Sequence, residues 1–130
     1  MSIFEASEQA YAAFGSLFRI LIQDQDFNQK LEHANLDVRL IHTKPDCVLY
    51  IAPGLVAEGD EAPEEAAIQI KMSCDTAHKL WCGELLMPAA LATGRVRIKG
   101  KVAKVLELVP ILQPAFDRYS DIAAEHGITS

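Results

Sequence analysis

The sequence predicts a single α+β domain, and three observations carry that prediction. Apolar residues recur at helical spacing towards both ends of the chain. Between those ends the period shortens to two. No internal repeat and no long Pro/Gly/Ser-rich linker divides the 130 residues.

The first helix is expected over about residues 3–23. Phe4, Tyr11, Phe14, Phe18 and Leu21 fall on one stripe, widened by Ile3, Ala10 and Leu17. Asp24 to Asp26 breaks it, and Phe27 to Ala34 adds a short second helix. From Leu36 the pattern alternates through Val38 and Leu40, and Lys44-Pro45-Asp46 supplies a turn. Cys47 to Ile51 is the returning strand, ended by Pro53-Gly54. The acidic stretch from Glu58 to Glu65 reads as a solvated loop. A third strand covers Ala67 to Met72, with Ile68, Ile70 and Met72 on one face. Asp75 is then expected to cap a short helix carrying Leu80 and Trp81, closed by Gly83. Pro88 opens another short helix, ended by Gly94. Arg95 to Lys99 alternates strictly and makes a fourth strand. A closing helical region follows, expected to break near Pro110 to Gln113 and to resume from about Pro114 to His126. The domain thus divides into an N-terminal helical part over about 3–34, a core over about 36–112 and a C-terminal helix over about 114–126.

A net charge of -6 and a pI near 5.1 argue against a general nucleic-acid or anionic-membrane binder. The apolar fraction is 50%, of which aromatics supply only 7%, so the core is built mainly from Ala, Val, Leu and Ile. Cys47, Cys74 and Cys82 form no even framework, which points to a reducing compartment. Met1 to Glu5 shows no basic segment before an apolar one, and no apolar run approaches the roughly 20 residues of a spanning helix. A cytoplasmic location is the expectation.

No nucleophile elbow, phosphate loop, dinucleotide fingerprint or zinc-protease motif occurs. Cys74, His78 and Cys82 sit at i, i+4 and i+8, which on an unbroken helix places zinc-type ligands on one face. A fourth ligand is missing, and small buried thiols serve equally well as core. A Cys74–His78 nucleophile pair lacks any visible orienting group. No catalytic, metal or cofactor site is therefore expected. The basic stretch Arg95, Arg97, Lys99, Lys101 and Lys104 reads first as the wet face of a strand and helix start. Its functional reading is a patch steering the chain towards anionic lipid headgroups, in transient contact with a membrane surface, or towards an acyl-CoA phosphate.

Residues Asp75 to Leu108 carry a resemblance. Asp75-Thr76, Leu80, Gly83-Glu84-Leu85, Pro88-Ala89-Ala90-Leu91, Gly94, the Arg95–Lys99 strand, Gly100 and Leu106 follow in an order similar to the sterol carrier protein-2 family. The preceding hairpin and third strand also fall in that order, so the resemblance spans roughly residues 36–112. It implies a curved, mostly antiparallel five-stranded sheet covered by helices, with an apolar tunnel between the layers. The fifth strand is then expected near Leu55–Val56 or Leu85–Met87. It also implies binding of a lipid-like small molecule (a sterol, fatty acid, acyl-CoA or isoprenoid) without catalysis. By position, the lining residues it implies are Ile70, Met72, Leu80, Trp81, Leu86, Met87, Leu91, Val96, Ile98, Leu106, Val109 and Leu112. Each could equally be ordinary core. Gly127 to Ser130 is not a peroxisomal address.

Enclosing a lipid needs no special residue, because each buried methylene contributes about 0.8 kcal/mol. Ten of them reach roughly 8 kcal/mol, near micromolar affinity before costs. An empty tunnel of roughly 400 Å³ would cost nearly 10 kcal/mol, so such a tunnel is either filled or collapsed. Two other readings remain open. One is an accessory protein that presents a lipid or quinone intermediate to biosynthetic enzymes. The other is a structural homodimer formed through the stripe of Phe4, Tyr11, Phe14 and Phe18.

Overall fold

The computed structural model describes residues 7–100, 103, 104, 107, 110 and 113–125. Helix α1 spans Ser7–Leu21 and α2 Gln25–His33, with Asp24 capping α2 by accepting from the Asp26 N–H. Strands β1 (Val38–Thr43), β2 (Cys47–Ala52) and β3 (Leu55–Glu58) follow, then a 3-10 turn over Gly59–Glu61 and β4 (Ile68–Ser73). Helices α3 (Cys74–Trp81) and α4 (Met87–Ala92) precede β5 (Val96–Lys99), and α5 covers Gln113–Glu125. Residues 103, 104, 107 and 110 are also helical; of the expected break near Pro110 to Gln113, positions 110 and 113 are helical and 111–112 lie outside the described residues.

The five strands form one sheet in the order β3-β2-β1-β4-β5. Three pairings are antiparallel, and the central β1–β4 pair is parallel. The sheet is therefore mixed but mostly antiparallel. Of the two places expected for the fifth strand, Leu55–Glu58 supplies it, while Met87 opens α4 instead. Gly54, at φ 71, makes the tight turn that lets β3 fold back on β2.

Capping of α3 differs from expectation. Ser73, not Asp75, is its N-cap, and the Ser73 Oγ accepts from the Thr76 N–H at 3.1 Å. The strand runs straight into the helix, so the hydroxyl at the strand's last residue reaches the free amides first. Asp75 lies in the first turn, where its charge favours the positive end of the helix dipole.

The core lies between one face of the sheet and α1, α3 and α5. Alternation selects that face: Val38, Leu40 and His42 on β1 are buried, as are Cys47, Leu49 and Ile51 on β2 and Ile68, Ile70 and Met72 on β4. From α1 come Ala13, Phe14, Leu17 and Phe18, from α3 Leu80 and Trp81, and from α5 Tyr119 and Ile122. Close approach at one sheet corner demands glycine. Gly100 has φ 126, and a Cβ there would lie 2.8 Å from the Ala67 carbonyl oxygen.

Candidate ligand-binding face

The inner sheet face is an apolar floor on which registers align the expected lining residues. Leu40 pairs with Ile70 and His42 with Met72 across the parallel ladder; Ile70 then pairs with Ile98 and Met72 with Val96. Ile70, Met72 and Val96 are buried, and Ile98 is partly buried against the same cluster. Leu80, Trp81 and Met87 are buried in that cluster too, with Leu91 at its margin. The structure thus brings these eight together. Leu86 departs from them: it is the N-cap position of α4 and is 70% exposed, because the extended turn after α3 aims it at solvent. Leu106, Val109 and Leu112 lie outside the described residues.

The helical roof is organised by rings. Phe18 meets Trp81 edge-on, with centroids 5.7 Å apart. Phe14 stacks on His42 at 4.7 Å and on Tyr119 at 6.0 Å, so α1 is clasped between β1 and α5. Phe14 and Phe18 are therefore committed to the chain's own interior. Tyr11 directs its hydroxyl to the Val48 N–H at 3.0 Å, and Phe4 lies outside the described residues. The aromatic stripe offered for a homodimer is spent on the core at these three positions.

Among the described residues, His42 and His78 are buried in this interior. His78 shares hydrogen bonds with the Tyr119 hydroxyl, 2.8 Å from Nδ1, and with Cys82 Sγ, 3.5 Å from Nε2. His42 has its Nδ1 2.9 Å from the Cys47 carbonyl. Burial lowers the pKa of both rings, to about 4 for His42. The alternation of His42 with Val38 and Leu40 is the sequence signal that it faces inward.

The three-residue metal arrangement does not assemble. Cys74 Sγ donates to the Pro45 carbonyl at 3.1 Å, away from His78. Among the described residues no cluster of three His, Cys, Asp or Glu side chains could hold a metal. The histidine's thiol partner is Cys82 rather than Cys74, and burial, reinforced by Glu84, raises that thiol's pKa. Burial first and Asp75 second push Cys74 up to about 12. Both thiols are protonated at neutral pH, the opposite of an activated nucleophile.

On the outer sheet face, Lys71 and Arg97 are paired neighbours on β4 and β5, and with Arg95, Thr43 and Ser73 they border an open groove of about 280 Å³. The basic alternation of β5 is thus completed by a lysine from β4. No helix among the described residues is long and apolar enough to cross a membrane.

Comparison with solved structures identifies the architecture. Sterol carrier protein 2 from Yarrowia lipolytica superposes with a TM-score of 0.69 at 20% identity, over 91% of this chain and 100% of that one. The fold is that of sterol carrier protein-2. The sterol carrier protein domain 2 of Helicoverpa armigera matches with a TM-score of 0.65 at 16% identity, over 85% of this chain and 90% of that one. The ubiquinone synthesis protein UbiJ-SCP2 matches with a TM-score of 0.57 at 15% identity, over 80% and 93%. No family model and no curated protein matches the sequence.

Proposed function

We propose that this chain encloses an apolar lipid ligand between its inner sheet face and the helical roof, and that it binds or transfers that ligand without catalysis in the cytoplasm. The observation that supports the reading is agreement with the sterol carrier protein-2 fold over 91% of this chain and 100% of the Yarrowia lipolytica protein. The apolar floor of Ile70, Met72 and Val96 under Leu80 and Trp81 supplies the needed surface. Protonated, separately bonded thiols support a non-catalytic role, and three free cysteines suit a reducing compartment.

Solvent extraction of the purified protein followed by mass spectrometry tests this. A reproducible, near-stoichiometric lipid is expected, absent from an unrelated heat-denatured control. No extracted lipid, together with no thermal stabilisation by fatty acids, sterols or isoprenoids, would sink the reading. Likeness to UbiJ-SCP2 favours a second use of the same site, presenting a lipid or quinone intermediate to biosynthetic enzymes. Co-purification of such enzymes, lost when the helical roof is mutated, would favour that use.

The basic outer face fits delivery at an anionic bilayer. Reversing Arg97 and Lys99 to glutamate should weaken association with phosphatidylserine vesicles several-fold at low salt and little at high salt. Unchanged association would separate this face from membrane contact.

A further inference from the structure

Strand β1 sets one polar side chain into the otherwise apolar floor. His42 follows Val38 and Leu40 on the inner face, has Cys47 and Met72 as lateral neighbours, and is 1% exposed. Its Nδ1 lies 2.9 Å from the Cys47 carbonyl oxygen. A carbonyl only accepts, so Nδ1 carries the ring proton. Burial keeps the imidazole neutral at physiological pH, so Nε2 is a bare acceptor. No described residue gives Nε2 a partner. Phe14, stacked at 4.7 Å, covers a ring face and has no donor to offer from its side chain. Nε2 lies on the side of the ring away from Cβ. A buried acceptor without a donor is unfavourable, and an apolar side chain of similar shape would avoid that penalty.

We infer that His42 Nε2 anchors the polar end of the bound ligand, accepting a hydrogen bond from a hydroxyl or an undissociated carboxyl group of a lipid. The inference rests on the lipid-binding reading above and sharpens it. The ligand's polar end sits beside Phe14, and its apolar body extends over Ile70 and Leu40. Ethers, esters, ketones and quinones only accept, so they leave Nε2 unsatisfied. A site built to bond a hydroxyl discriminates against analogues that lack it far better than an apolar pocket does.

The test compares 1-hexadecanol with 1-methoxyhexadecane, and cholesterol with its methyl ether. Each is titrated against the full chain and against His42→Phe by displacement of a pyrene-labelled alkane. In the native protein at least one alcohol should bind about tenfold more tightly than its ether, the equivalent of one buried hydrogen bond. In His42→Phe, which keeps a ring against Phe14, the alcohol-to-ether ratio should fall to about one. The ¹⁵N resonance of His42 Nε2 in the native protein should move with the preferred alcohol and not with its ether. This readout decides the matter should the variant fail to fold. Equal native affinities within both pairs, a preference that survives in His42→Phe, or an unmoved Nε2 resonance overturns the anchor while leaving lipid binding intact. Binding of none of the four compounds, nor of the pyrene probe, overturns the lipid reading itself and the anchor with it.

Discussion

Replacing Trp81 by alanine should lower the unfolding free energy by about 3–5 kcal/mol, the range for truncating a large buried aromatic. Trp81 is 2% exposed and ends α3 beneath the roof, where its indole meets the Phe18 ring at 82°. The substitution removes both the apolar burial and an edge-to-face contact of about 0.5–1.5 kcal/mol. It leaves a hole between α1 and α3 that two helices anchored elsewhere cannot close. A domain of this size has only about 5–15 kcal/mol in total, so the loss should be plain as a shifted urea midpoint with little change in slope. Trp81→Phe should cost less, because a ring still faces Phe18. A loss under about 1 kcal/mol would mean the indole walls a space already filled by something other than protein. Trp81 would then be lining rather than core, and the extracted lipid would be the natural occupant.

That ambiguity between lining and core is where sequence reading stops. Periodicity was sufficient for α1, β1, β4 and β5, because each presents an alternation or stripe that matches a buried face, while β2 was legible as a short apolar run after a turn. Strand β3 was harder: Leu55 is 49% exposed and no residue of the strand is fully buried, so an edge strand left little apolar signature. The cap of α3 was misassigned for a related reason. Both Ser73 and Asp75 are good capping residues, and only the point at which β4 ends decides between them. For the site, the lining set comes by position from the resemblance; alternation agrees with an inward face at Ile70, Met72, Val96 and Ile98, whereas Leu86 lies in a turn. A turn residue has no face until the chain direction around it is known, and this one faces out. The bond of His78 to Tyr119 joins residues 41 positions apart, which no local spacing can reveal, whereas Cys82 lies one helical turn away on the face the spacing shows. The parallel pairing of β1 with β4 is equally non-local: it follows from the sheet order, in which the β2–β3 edge folds away to one side.

Acidification from pH 7 to 4 should remove about 3 kcal/mol of unfolding free energy through His42, from the difference between its folded and unfolded pKa. The folded ring sits at about 4, lowered by burial and only partly restored by its bond to the Cys47 carbonyl. In the unfolded chain it titrates near the usual 6.5. Between those values the unfolded state binds a proton that the folded state refuses, so falling pH favours unfolding, by up to about 1.4 kcal/mol per pH unit. Above the unfolded value this group contributes no pH dependence, and below the folded value the loss is complete. His78 adds in the same direction, its pKa lowered by burial against the opposing charges of Glu84 and Asp75. The thiol nearest His42 does not interfere, since burial holds Cys47 protonated throughout this window. Urea titrations between pH 8 and 4 should show the decline in the native chain and a shallower one in His42→Phe, whose ring cannot take up a proton. Stability that stays level from pH 6.5 to 4 would mean that His42 accepts a proton inside the fold, and a protonated Nε2 could not receive a hydroxyl. Ligand and proton compete for the same lone pair. Protein loaded with a hydroxyl lipid should therefore go on losing stability below pH 4, where the decline of the unloaded protein levels off, which ties the acid sensitivity of the fold to the occupancy of its proposed anchor.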